Sequence, residues 1–144
     1  MRWLLNHGAD ANAPSVAHLT PLPYAARSMH LEAVKVLLEH NAYINLQDCT
    51  GDTPLYWVLS HCGSNGKSVD MVRLLLERGA DPNICNDNYS TPLHLASRQG
   101  LLEAARLLLS YGAEVDEKDG NGKTPFQLAR SDEMAKLLLE HDQP

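Results

Sequence analysis

Thr91-Pro92-Leu93-His94-Leu95-Ala96 decides the fold, because partial copies of it recur along the chain as Thr20-Pro21-Leu22, Thr53-Pro54-Leu55 and Thr124-Pro125-Phe126. The steps from Thr20 to Thr53 and from Thr91 to Thr124 are both 33 residues, and the middle step to Thr91 is 38. A second marker keeps the same beat. His7-Gly8-Ala9-Asp10, Arg78-Gly79-Ala80-Asp81 and Tyr111-Gly112-Ala113-Glu114 each follow a leucine-rich run, with His40-Asn41-Ala42-Tyr43 as a weaker copy. Self-similarity at this period predicts stacked supersecondary units, each too small to bury its own apolar face.

Residues 83–115 show how one unit is built. Threonine is a good N-cap, and proline suits the first helical turn, where its missing N–H has no partner to lose. Leu93, Ala96 and Ser97 then form an i, i+3, i+4 stripe of small and apolar side chains, and Gly100 ends this short helix. A second helix begins near Leu102, aligns Leu102, Ala105, Leu108 and Leu109, and stops at Gly112. The stretch from Glu114 to Lys123, rich in Asp, Asn and Gly, predicts a turn; Asp119-Gly120 and Asn121-Gly122 suit tight hairpin geometry.

Taken together, Thr-Pro-Leu-His-x-Ala, the Gly-Ala-Asp step and the 33-residue period resemble the ankyrin repeat over essentially the whole chain. The resemblance implies an all-α repeat solenoid: an ankyrin-type stack of helix-turn-helix units joined by β-hairpin loops. Asp48 to Pro54 and Asp119 to Pro125 match the family's Asp-x-x-Gly-x-Thr-Pro hairpin closely. The other two hairpins depart from it. His18 and Tyr89 stand where the family has glycine, and Ser15 and Asn86 where it has aspartate. If the backbone there needs positive φ, Tyr89 is strained, and strain of that kind often marks function; the alternative is a different hairpin.

The expected organisation is a single domain over 1–144. It holds a partial repeat at 1–11, repeats at about 12–44, 45–82, 83–115 and 116–144, and a five-residue insertion near 63–67. The partial repeat lacks its first helix, which leads us to expect a piece of a longer protein or an open reading frame that starts late. At the other end, Arg130 to Glu133 joins the last two helices with three fewer residues than the equivalent link after Ser97.

Composition narrows the function. A net charge of −6 argues against a broad phosphate-binding surface. Three cysteines, Cys49, Cys62 and Cys85, without paired spacing argue against a disulfide framework and for a reducing compartment, cytoplasmic or nuclear. No apolar run is long enough to span a bilayer. Gly63-Ser64-Asn65-Gly66-Lys67-Ser68 suggests a phosphate loop or an RNA-binding Gly-x-x-Gly turn. The first, however, has His61 where glycine is required, and an insertion loop explains the five extra residues better. His61-Cys62 lacks the companions a zinc site needs. No nucleophile and base have an orienting third group, so no catalytic residue, cofactor or metal is expected.

What remains is recognition. The resemblance implies that hairpin tips and the exposed sides of the first helices form a concave groove for a protein partner, with no nucleic acid or membrane ligand and a monomeric chain. Candidate contacts at the tips are Gln47, Asp52, Cys85, Asp87, Asn88, Tyr89, Asn121 and Lys123, beside Val16, Ala17, Leu19, Cys49, Thr50 and Gly120. On the helices they are Arg27, Ser28, Arg98 and Gln99, with Tyr56 and Trp57 as aromatic anchors; inter-repeat packing is the alternative for Trp57. The chain is expected to be a stand-alone adaptor or scaffold, or else a targeting or regulatory segment of a larger enzyme or multidomain protein. Asn12, Asn45 and Asn83, each eight residues after a leucine, are similar to ankyrin asparagines hydroxylated by an oxygenase. His94 matches the family's histidine that ties one repeat to the next.

Overall fold

A computed structural model describes residues 2–15, 20–62 and 66–142, with Gly66 and Lys67 described by backbone alone. Its helices are α1 Arg2–Asn6, α2 Pro21–Arg27, α3 Leu31–Glu39, α4 Pro54–Ser60, α5 Gly66–Glu77, α6 Pro92–Gln99, α7 Leu102–Ser110 and α8 Asp132–His141; a 3₁₀ turn at Phe126–Leu128 precedes α8. α2 packs on α3, α4 on α5 and α6 on α7, and the units then stack, α2 on α4, α4 on α6, α5 on α7 and α7 on α8.

The Thr-Pro starts behave as the sequence requires. The Thr53 hydroxyl accepts from the Tyr56 N–H at 3.2 Å. At α6 the bond is reciprocal: the Thr91 hydroxyl accepts from the His94 N–H, and His94 Nδ1 accepts from the Thr91 N–H at 3.1 Å. Because Nδ1 is an acceptor, the ring proton sits on Nε2, which donates to the Lys123 carbonyl of the next unit at 3.0 Å. His94 therefore ties two units together, as the resemblance implied. Of its counterparts in the other units, Tyr56 also reaches across, donating to Ser90 Oγ at 3.2 Å, whereas Gln127 accepts only from its own Thr124 N–H.

Leucines in register form one continuous core. Leu22, Leu55 and Leu93 line the first helices, and Leu37, Leu75, Leu108 and Leu138 the second, all essentially without solvent contact. Leu4 holds the register of Leu37 yet is 56% exposed, because no first helix lies beneath it. Trp3 beside it is 66% exposed and stacks on His7.

Three details refine the expected architecture. Among the described residues no strand forms; each of the three described tips is a turn closed by two backbone bonds, Asp48 N–H to Asp52 O with Gly51 N–H to Asp48 O, Asn86 N–H to Ser90 O with Tyr89 N–H to Asn86 O, and Asp119 N–H to Lys123 O with Gly122 N–H to Asp119 O. The last unit has no α-helical first helix, only the 3₁₀ turn. Ala129 leaves helical geometry at ψ 125° and Ser131 caps α8 at once, its hydroxyl accepting from the Met134 N–H. Finally, Gly66 and Lys67 belong to α5, which spans 12 residues against nine in α3 and α7, so part of the extra length is helical. Residues 63–65, and Val16, Ala17, His18 and Leu19 of the first tip, lie outside the described residues.

Candidate interaction surface

The tips stack backbone on backbone. Asp87 N–H donates to Thr50 O at 3.1 Å, and Gly120 N–H to Asn88 O at 2.8 Å. A side chain at Gly120 would place its Cβ 2.9 Å from the Asn88 carbonyl, so glycine is what allows this approach. The turn also needs one left-handed residue. Gly51 and Gly122 supply it at φ 76° and 75°; in the middle tip Tyr89 adopts φ 56°. The left-handed region costs an L side chain about 1–2 kcal/mol. The ring gains no burial in return, since Tyr89 is 65% exposed.

Between these tips and the first helices lies an open polar cavity of about 360 Å³, bordered by Tyr56, Asn86, Asn88, Ser90, Arg98, Asp119, Gly120 and Asn121. Towards the N-terminal end the same surface turns aromatic. Trp57 is half-buried, its Nε1 donates to Asp48 Oδ2 at 2.7 Å, and its ring carries the Arg27 guanidinium 5.1 Å from the centroid. Tyr24 lies beside it, 44% exposed.

Electrostatics separate the two buried-edge aspartates. Burial pushes the Asp48 carboxyl up, but hydrogen bonds from Thr50, the Asp52 N–H and Trp57 outweigh it and hold the group below the usual range. Burial dominates at Asp52, which is raised despite bonds from Asn86 and Thr50, with Asp48 and Asp87 adding repulsion. Burial also lowers His94, keeping its ring neutral beneath the groove against the pull of the Lys123 carbonyl.

The family description "Ankyrin repeats (3 copies)" matches residues 1–84 and 59–144. The chain belongs to the ankyrin repeat family. Its ankyrin stack is similar to the "Ankyrin repeat, SAM and basic leucine zipper domain-containing protein 1" of Carollia perspicillata, 39% identical over 97 residues, 67% of this chain and 20% of that protein. It is also similar to human "Ankyrin repeat domain-containing protein 53", 34% identical over 104 residues, 72% of this chain and 19% of that protein. A third relative is human "Transient receptor potential cation channel subfamily A member 1", 33% identical over 104 residues, 72% of this chain and 9% of that protein. The matched region spans a fifth or less of the length of these proteins. Ankyrin repeats are in general protein–protein interaction modules.

Within this ankyrin surface the expected contacts divide. Arg27, Asp87, Asn88, Tyr89, Arg98, Asn121 and Lys123 are exposed, as are Ser28, Cys49, Thr50 and Gly120; Gln99 and Asp52 are half-buried. Others are engaged internally. Tyr56 is 7% exposed, so its ring is packing and only its hydroxyl borders the cavity, which corrects the view of it as an exposed anchor. Gln47 donates to both Gly51 O and Cys85 O at 2.9 Å, bridging two tips, and Cys85 is half-buried beneath that bridge. The three asparagines form an inter-repeat ladder. Asn12 donates to Asn41 O and accepts from the Tyr43 N–H; Asn45 relates to Gly79 O and the Asp81 N–H, and Asn83 to Gly112 O and the Glu114 N–H, in the same way.

Sequence reasoning missed Ser90, Asn86, Asp119 and Tyr24. Tyr24 was findable, since it lies 33 residues before Trp57 and shares its register. Among the described residues no three of His, Cys, Asp and Glu meet as a metal cluster, and no helix is long and apolar enough to cross a membrane.

Proposed function

We propose that this ankyrin segment binds a partner protein along the surface between its tips and first helices. The observation that carries the reading is Tyr89, a large aromatic held in left-handed geometry at the centre of the tips and left exposed. Strain kept without a packing gain points to a role outside the fold. Around it stand Arg27, Trp57, Asp87, Asn88, Arg98 and Asn121, mixing aromatic and charged groups as interface hot spots do.

The module works by recognition rather than catalysis, as an adaptor or scaffold, in the cytoplasm or nucleus and as a monomer. A second reading has a specific observation behind it: the relatives are several times longer, so the segment would target or regulate the remainder of a larger protein. The repeat units we assign are 12–44, 45–82, 83–115 and 116–144 after a partial unit at 1–11, with extra residues near 63–67. The test is affinity capture with mass spectrometry, comparing wild type with Tyr89→Ala and with Glu39→Ala on the second-helix side. Partners lost with Tyr89→Ala and kept with Glu39→Ala support the groove; the reverse overturns it.

We also propose Asn12, Asn45 and Asn83 as hydroxylation sites. Peptides from cells should carry the mass of one added oxygen atom on these asparagines, and uniformly unmodified peptides would remove the proposal.

A further inference from the structure

We propose that the cavity beside Tyr89 receives a carboxylate side chain, Asp or Glu, of the bound partner, paired with the Arg98 guanidinium. This rests on the groove reading and names the chemistry it recognises at one point.

The cavity has more donors than its own groups use. Arg98 is exposed at the end of α6, and among the described residues it makes no ion pair or hydrogen bond. The side-chain amides of Asn88 and Asn121 likewise have no partner among the described residues. Beneath them, Tyr56 and Ser90 are 7% and 6% exposed and share a single bond of 3.2 Å between their hydroxyls. Two hydroxyls with one bond between them leave one O–H without an acceptor. That O–H borders the open cavity, where an arriving acceptor can take its bond.

The acidic groups nearby are already committed to the tips. Asp119 Oδ1 accepts from the backbone N–H groups of Asn121 and Lys123, at 2.9 and 3.0 Å. Asp52 accepts from Asn86 and Thr50. A planar carboxylate suits what is left: two oxygens for the guanidinium fork, with lone pairs remaining for an amide and the free hydroxyl. Asp119 sharpens the test, because it is the charged residue that borders the cavity besides Arg98. Removing the guanidinium should therefore reverse the preferred charge rather than merely erase it.

The experiment is selection of a displayed random-peptide library on the folded chain, on Arg98→Gln, on Tyr89→Ala and on Glu39→Ala. Arg98 is exposed, so an unchanged thermal melt will show that Arg98→Gln folds. Wild type and Glu39→Ala should enrich peptides with Asp or Glu at one fixed position. Those peptides should bind Arg98→Gln about tenfold or more weakly, and selection on Arg98→Gln should place Lys or Arg at that position. Peptides that need Tyr89 but show no acidic position, or bind Arg98→Gln equally well, overturn the carboxylate site and leave the groove standing. Peptides indifferent to Tyr89 and lost with Glu39→Ala overturn both.

Discussion

The second-helix side of the stack and its tip side use charge differently. On the second-helix side three ion pairs form among the described residues, Lys35 with Glu32 at 3.0 Å, Arg106 with Glu103 at 3.6 Å and Arg2 with Glu39 at 3.2 Å, while Arg73 and Lys136 there have none. On the tip side Arg98 pairs with nothing among the described residues, and Arg27 lies on the face of Trp57. Hydrogen bonding divides likewise. The asparagine ladder at the helix ends is saturated, while Asn88 and Asn121 at the tips hold donors in reserve. On the groove reading, the unused donors at the tips are the ones a second molecule would take.

Substitutions should separate fold from recognition along this line. The largest effect belongs to the core both sides share: Leu75→Ala, at a fully buried position, should cost about 2–5 kcal/mol of stability in denaturant unfolding. A much smaller loss would mean that the units stack less tightly than the buried leucines indicate. Next come Tyr89→Ala and Arg98→Ala, each expected to weaken partner capture about tenfold or more, about 1.4 kcal/mol, with the melt nearly unchanged. Smallest are Glu39→Ala and Glu77→Ala, expected within about 0.5 kcal/mol for both stability and affinity, since exposed charges contribute little.

A pH dependence sits between these. Burial lowers the His94 pKa, so the unfolded chain takes up a proton more readily than the folded one. The stability this supplies is complete above the ordinary histidine value of about 6.5 and is lost as pH falls through the depressed folded value. His94→Gln keeps an acceptor for the Thr91 N–H, as Gln127 does for Thr124, and cannot titrate. Melting temperature should fall between about pH 7 and 5 in wild type and fall less in His94→Gln; equal slopes would place the titration elsewhere.

The repeat period, the Thr-Pro starts and the leucine register made the stack readable from sequence, because each rests on local spacing that the backbone obeys. Tyr89 was readable as well, since two neighbouring tips carry glycine at its position. The details that depend on contact between units were not. Nothing in Asn12, Asn45 and Asn83 as isolated residues shows that each spans two turns, and Tyr56 looked like an anchor because its burial is set by Ser90 in the following unit. The 3₁₀ turn at Phe126 follows from a link shortened by three residues, whose effect on helix length appears only once Ser131 has capped α8.

The central claim is that the tip side bears strain for the sake of recognition, and Tyr89→Gly tests it most directly. Glycine is at ease in the left-handed region, so unfolding should show a gain of about 1 kcal/mol, while affinity for the captured partner drops about tenfold with the ring removed. A variant that is less stable than wild type, or one that binds the partner undiminished, would contradict the account.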